Sequence, residues 1–197
     1  MSFLGEPAES AGQRAMYEED VRDDGFVWDL TRMWAHQPEL HETAFEAAIA
    51  AAAKAAGLTP RERAMLVLGT ASVRGDSLCA TAWGRRLAGW SDAATAAATL
   101  SGAAAEGAGD LDDRERALLR WARAIARDPN ATTAGEVQAL RDLGFDDPAI
   151  LALTYYAALR IAFSTTNDAL GAHPDRGIAE RLDPEVRAAI AWGRPAE

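Results

Sequence analysis

Residues 59–90 read TPRERAMLVLGTASVRGDSLCATAWGRRLAGW, and this stretch predicts two consecutive helices. It opens with TPRE at 59–62, a capping box with proline at the first helical position, which is a strong signal for a helix start. Gly75 ends the first helix, and Asp76 stands where a residue would cap the second one. The stretch therefore predicts a pair of helices joined by a short turn.

Helix-start and helix-stop signals of the same kind divide the rest of the chain. In the whole sequence, 46 of 197 residues are alanine. Alanine favours helix, and no sustained alternation of apolar and polar residues predicts a strand. We predict an all-α fold of about seven to nine helices. The residues expected to begin further helices are Asp24, Pro38, Asp92, Asp112 or Asp113, Thr133, Asp147 and Pro184.

Two segments of the chain resemble each other. Residues 58–76 aligned with residues 111–129 give eight identities in nineteen positions, at an offset of 53 residues. Two interpretations stay open, which are an internal duplication of a helical unit and two surface helices that share a start signal.

Charge and cysteine content exclude several classes of function. The formal net charge is −10, so a phosphate backbone or an anionic membrane surface would be repelled, and we expect neither partner. Cys79 is the single cysteine, so an intramolecular disulfide or a dithiol pair within the chain is impossible. We expect a cytoplasmic protein, because the start of the chain lacks a signal-peptide pattern and the apolar run at 148–159 is too short to span a bilayer.

Three residues of the second helix are spaced i, i+3 and i+7, which places Asp76, Cys79 and Trp83 on one face. Asp76 is either a helix cap or a general base, and Trp83 is either core or the wall of a substrate pocket. Cys79 is either a small core residue or a thiol whose pKa is lowered by the helix N-terminus.

Further candidate residues lie outside that pair of helices. Arg160 stands in an apolar helix, where its charge requires a carboxylate, a subunit boundary or an anionic ligand, and Tyr156 is a second polar group there. His36 either interacts with a helix end or enters a pocket, and its spacing from His41 does not suit a zinc pair. We expect no metal, no cofactor and an exposed His173.

The segments RERAMLVLGTASVRGDSLCATAWGRRLAGWSDAA, WAHQPELHETAFEAAIAAA and ALTYYAALRIAFSTTNDALG together resemble the alkylhydroperoxidase D (AhpD)/carboxymuconolactone decarboxylase family. The resemblance covers residues 26–173 and implies an AhpD-like helical domain there. Residues 1–25 are then an N-terminal extension, and residues 174–197 a C-terminal extension with a short helix. Members of the family are commonly trimers or hexamers, so the resemblance implies a homo-oligomer.

The family motif Cys-x-x-Cys-x-x-x-His is degenerate in this chain. Its cysteines fall on Asp76 and Cys79, its histidine on Trp83, and the proton-relaying glutamate of the preceding helix on Ala64. Trp83 cannot accept or shuttle a proton, and one thiol cannot form the active-site disulfide. The resemblance therefore implies a fold without the family's dithiol peroxidase chemistry.

Three functions remain open. The first is a cofactor-free enzyme, lyase-like or isomerase-like, acting on a small organic acid, lactone or aromatic metabolite, with Asp76 and Cys79 as catalytic residues. Its substrate-binding residues would be Trp83, His36, Arg160 and Tyr156. The second is a non-catalytic oligomeric binding or scaffold protein, and the third is a weak one-cysteine peroxidase that needs an outside thiol.

Overall fold

A computed structural model describes residues 2–196, and within this range the chain has eleven α-helices and no β-strand. The predicted all-α fold is confirmed. The helices are α1 (Ala11–Asp24), α2 (Asp29–Trp34), α3 (Ala47–Ala55), α4 (Pro60–Arg74), α5 (Ser77–Trp90), α6 (Ala93–Ser101), α7 (Asp113–Arg127), α8 (Ala134–Asp142), α9 (Asp147–Ala169), α10 (Arg176–Ala179) and α11 (Pro184–Ala189). A π-helical segment, Leu40–Glu46, runs directly into α3.

Side-chain caps begin most of the long helices where the sequence predicts them. Thr59 and Asp112 each form a complete capping box with the glutamate three residues later. Thr133 forms a third box, and Asp76 and Asp92 accept hydrogen bonds from the backbone N–H of Cys79 and Thr95. These ends are set locally, because each cap satisfies N–H groups that have no partner inside the helix.

The start of the chain differs from the prediction. Asp24 does not cap a helix that begins at Phe26. It is the last residue of α1, a helix in the segment predicted as an N-terminal extension. The backbone N–H of Trp28 donates to Asp20 and the Trp28 indole donates to Asp24, at 2.9 and 3.1 Å. These bonds hold the turn between α1 and α2, so α2 starts only at Asp29.

Helix α4 lies at the centre of the fold and packs most closely on α7. A Cβ atom added at Gly69 would lie 2.7 Å from the Cβ of Ala122, so only glycine permits this approach. Gly69 and Ala122 occupy equivalent positions in the two similar segments. The ion pairs Arg61–Glu115 and Arg114–Glu62 are also equivalent, because Arg61 corresponds to Arg114 and Glu62 to Glu115. Equivalent residues that meet reciprocally are the mark of a two-fold relation, which favours the interpretation as an internal duplication.

The closing helix α9 packs on α3, α4 and α7. By length and composition it is apolar enough to cross a membrane, and it is the one such helix in residues 2–196. One face carries the buried polar side chains Arg160, Ser164 and Asn167 into the protein, and the other face exposes Leu151 and Tyr155. The buried face, with its polar groups, forms one wall of the site described next.

Candidate functional site

A cavity of about 390 Å³ opens between α1, α2, α5 and α9. Its wall includes four of the site residues predicted from the sequence. These are Cys79 and Trp83 on α5, and Tyr156 and Arg160 on α9. Aromatic rings supply much of the remaining surface. Their residues are Trp28, Trp34, His41 and Phe163.

Arg160 is the central polar group of the cavity wall and is only 6 % exposed. Its Nη2 donates a hydrogen bond to Cys79 Sγ at 3.2 Å. Its Nε has no hydrogen-bond partner within residues 2–196, and no carboxylate there forms an ion pair with it. A buried guanidinium is a strong donor of hydrogen bonds and stays charged at neutral pH, and here its Nε–H has no acceptor among the described residues.

Aromatic rings surround the guanidinium carbon of Arg160. It lies 4.7 Å from the ring centroid of Phe163, 5.8 Å from that of Trp83 and 5.9 Å from that of Phe45. These distances are typical of cation–π contacts, which offset part of the cost of burying the charge. Such contacts leave the guanidinium edge free to donate hydrogen bonds to a ligand.

A second arginine, Arg86, also packs against the Trp83 ring. The guanidinium carbon of Arg86 lies 5.0 Å from the Trp83 centroid, and Arg86 lines the same cavity. Burial lowers the pKa of Arg86, and the positive charge of Arg160 lowers it further. The two cations repel each other, so an anion bound between them would be stabilised by both.

Cys79 lies in the first turn of α5 and is only 2 % exposed. Burial, and then the Asp76 carboxylate, raise the pKa of the Cys79 thiol well above its ordinary value, and the opposing effect of Arg160 is smaller. The helix N-terminus does not produce the lowered pKa that was one of the two predictions. The thiol is therefore protonated at neutral pH and is a weak nucleophile.

Asp76 lies behind the cavity wall rather than on it. One carboxylate oxygen accepts from the backbone N–H of Cys79 at 2.8 Å, and the other accepts from the Ser164 hydroxyl at 2.5 Å. The carboxylate is completely buried, so it ties the start of α5 to α9. The structure shows the cap role directly, and a catalytic role for Asp76 stays a prediction.

His36 is not part of the cavity, since its imidazole is exposed and its Nε2 lies 3.0 Å from the carbonyl oxygen of Gly5. His41 lines the cavity instead, with Nδ1 3.2 Å from Glu42 Oε1. His173, expected in an exposed loop, is buried at 6 % exposure with Nε2 3.6 Å from Asp29 Oδ2. That expectation was wrong because the segment after α9 folds back onto α2.

Sequence reasoning missed several residues of the wall. Arg86 follows Trp83 by three positions, so the periodicity of the α5 face could have included it. Phe163 follows Arg160 by the same spacing. No sequence signal placed the acidic end of α1 here, because that contact is formed only in the tertiary structure.

Comparison with solved structures identifies the architecture. One similar structure is described as an alkylhydroperoxidase AhpD core, an uncharacterized peroxidase-related protein from Ralstonia eutropha JMP134. It shares 22 % identity and a TM-score of 0.73, over 90 % of this chain and 94 % of that chain. The chain has an AhpD-like fold.

A second structure with this fold, an uncharacterized peroxidase-related protein from Silicibacter sp. TM1040, gives the same TM-score of 0.73 at 19 % identity. The match covers 89 % of this chain and 92 % of that chain. No protein-family model matches the sequence, and no curated protein is significantly similar to it. The AhpD-like architecture is thus shown by structure at low sequence identity.

Proposed function

We propose that this AhpD-like protein binds a small planar carboxylic acid or lactone and acts on it without thiol redox chemistry, as a cofactor-independent lyase or isomerase. The observations that carry the proposal are that Arg160 lines an aromatic cavity and that its buried Nε has no hydrogen-bond partner within residues 2–196. The volume of about 390 Å³ falls within the usual range for small-molecule sites, roughly 300–1,000 Å³. A carboxylate would supply the missing acceptor, and the aromatic walls suit a flat body.

Proton transfer in this proposal falls to groups that touch the cavity. Tyr156 and His41 line it, whereas both carboxylate oxygens of Asp76 already accept hydrogen bonds. Burial raises the pKa of Tyr156, so its phenol is a proton donor at neutral pH. We assign Asp76 the role of a positioning residue, which fixes Cys79 and Ser164 on either side of the α5–α9 contact.

The proposal is tested by calorimetric titration of the purified protein with benzoate, beside an assay for dithiol-dependent consumption of cumene hydroperoxide. We expect one benzoate per chain and no hydroperoxide turnover, because the chain lacks a second thiol and Cys79 is a buried neutral thiol. Alkylation of Cys79 at pH 7 should be slow for the same reason. Hydroperoxide turnover that disappears in Cys79→Ala, with no benzoate binding, would refute the proposal in favour of a one-cysteine peroxidase.

A non-catalytic binding protein is the second candidate, and one observation favours it. The catalytic aspartate predicted from the sequence is fully engaged in capping and hydrogen bonding. Under this alternative benzoate still binds, but no acid or lactone is converted. Product analysis by NMR after incubation with a panel of unsaturated acids and lactones distinguishes the two.

We also propose that the chain forms a homo-oligomer in the cytoplasm, a trimer or hexamer. The exposed face of α9 supports self-association, because Leu151 is 72 % exposed and Tyr155 and Leu40 are more than half exposed beside an apolar groove of about 310 Å³. Exposed apolar patches of this kind are typical of interaction surfaces. Light scattering should give a mass that is a multiple of 21.0 kDa, and a stable monomer at micromolar concentration would contradict the proposal.

A further inference from the structure

The cavity has an acidic side that the binding of a simple carboxylate does not use. The last two turns of α1 contribute four carboxylates to its wall, and the π-helical segment contributes a fifth. These residues are Glu19, Asp20, Asp23, Asp24 and Glu46. Cavity-lining arginines come from other elements, namely Arg63 on α4, Arg86 on α5 and Arg160 on α9.

Only part of the acidic side is neutralised within the protein. Asp24 is paired, since its Oδ1 lies 3.3 Å from Arg181 and 3.6 Å from Arg85. Asp20 accepts a hydrogen bond from the backbone N–H of Trp28 but forms no ion pair in residues 2–196. The one ion pair of Asp23 in residues 2–196 is with Arg22, and this pair contributes little because both side chains are more than half exposed.

Asp20 is held in an environment that disfavours its negative charge. Burial raises the pKa of Asp20, and the charges of Asp24 and Asp23 raise it further against the hydrogen bonds from Thr31 and Trp28. A cation placed beside these carboxylates would relieve their mutual repulsion. The cavity wall therefore carries two charges of opposite sign that form no ion pair in residues 2–196, one on the buried Arg160 and one on Asp20 of α1.

A ligand with only a carboxylate fits this distribution poorly. It would have to pass or lie beside the carboxylates of α1, on a chain whose net charge is −10. Repulsion of this kind lowers both association rate and affinity. A ligand that also carries a positive group would replace repulsion by attraction at that wall.

We propose that the ligand is an amino-carboxylate, with its carboxylate on Arg160, its flat body against Trp83 and its ammonium group beside Asp20 and Asp23. This inference rests on the proposed function, because it takes the carboxylate site at Arg160 as given. It adds a specificity that the AhpD-like fold alone does not supply. The selecting element is the acidic end of α1.

Three para-substituted benzoates test the inference by isothermal titration: 4-(aminomethyl)benzoate, 4-methylbenzoate and 4-carboxybenzoate. They share the ring and one carboxylate, and their distal groups are positively charged, neutral and negatively charged, respectively. We expect affinity to fall in that order, by about fivefold or more per step, which corresponds to about 1 kcal/mol for a partly exposed charge contact. Equal affinities, or the dianion binding best, would overturn the inference.

The variant Asp20→Asn/Asp23→Asn identifies the wall responsible. Asparagine keeps the acceptor for the Trp28 backbone N–H, so α1 should stay folded. We expect this variant to bind 4-(aminomethyl)benzoate more weakly and 4-carboxybenzoate more tightly, each by about fivefold. Effects of opposite sign cannot come from general damage to the cavity.

Glu9→Gln/Glu18→Gln is the matched control, since it removes the same two charges from exposed positions that do not line the cavity. It should leave all three affinities unchanged, and a control that behaves like the α1 variant would overturn the inference in favour of a net-charge effect. If benzoate binds through Arg160 but the three ligands bind alike, the proposed function stands and this inference fails. If none of the ligands binds, both fail.

Discussion

Arg160→Gln is expected to weaken benzoate binding by at least about 30-fold, which corresponds to about 2 kcal/mol for removing one partner of a buried, charge-assisted contact. The reason is that Arg160 supplies a buried Nε–H donor with no acceptor in residues 2–196, and glutamine neither reaches as far nor carries charge. Titration calorimetry on the wild type and the variant measures the change.

Two controls accompany this variant. Arg74→Gln removes one positive charge from an exposed position outside the cavity and should bind benzoate as the wild type does. Arg160→Lys keeps the charge but loses the fork of donors, so we expect an intermediate affinity. Wild-type affinity in a folded Arg160→Gln protein would contradict the assignment of the carboxylate site.

The Arg160→Gln variant also tests how Arg160 affects the stability of the protein. Because burial of a guanidinium without an ionic partner is costly, Arg160→Gln should unfold at the same temperature as the wild type or higher in the absence of ligand. A buried group that costs stability while facing a cavity is typical of a functional site. Loss of binding together with unchanged or raised Tm separates this role from a structural one.

Glu115→Ala is expected to lower the free energy of unfolding by about 3 kcal/mol. Glu115 closes the capping box with Asp112 and binds Arg61 at 2.7 Å, and its side chain is 8 % exposed. Its removal therefore leaves the backbone N–H of Asp112 without its acceptor and Arg61 without its carboxylate partner. Urea denaturation followed by circular dichroism measures the loss.

Glu136→Ala is the matched control for this effect. Glu136 closes the same kind of capping box with Thr133 but lies on the surface and pairs with no arginine in residues 2–196. We expect it to cost about 1 kcal/mol, the usual effect of losing a cap. Equal losses for the two variants would show that the Arg61–Glu115 contact between α4 and α7 contributes nothing.

Glu62→Ala should resemble Glu115→Ala, because the two glutamates are equivalent in the similar segments. Glu62 forms the Thr59 capping box and binds Arg114, as Glu115 does with Asp112 and Arg61. Because the two ion pairs lie on one helix interface, we expect the losses in free energy of unfolding to be partly non-additive in the double variant Glu62→Ala/Glu115→Ala.

The helix starts were predictable because each is encoded within four residues. Thr59, Asp76 and Asp112 satisfy N–H groups of their own helices, and no distant contact is needed to place them. The start of α2 was not predictable in this way. Its position depends on carboxylates of α1, which is a tertiary contact.

The residues of the candidate site also differ in whether local sequence or tertiary contacts determine their position. The sequence predicts a shared face for Cys79 and Trp83 and a charge that needs a partner at Arg160, each beside a core or structural alternative, and the structure places all three on the cavity wall. The turn that carries His36 lies outside the cavity and π-helical winding brings His41 to it, a distinction that a regular helical pattern does not contain. The acidic wall of α1 had no sequence signal, because its residues look like an ordinary solvated face.

A crystal structure of the protein soaked with 4-(aminomethyl)benzoate tests the central claim most directly. We expect the carboxylate within hydrogen-bond distance of the Arg160 guanidinium, the ring against Trp83, and Cys79 as an unmodified free thiol. A ligand bound elsewhere, or an empty cavity in which the Arg160 guanidinium has turned to form an ion pair with a protein carboxylate, would contradict it.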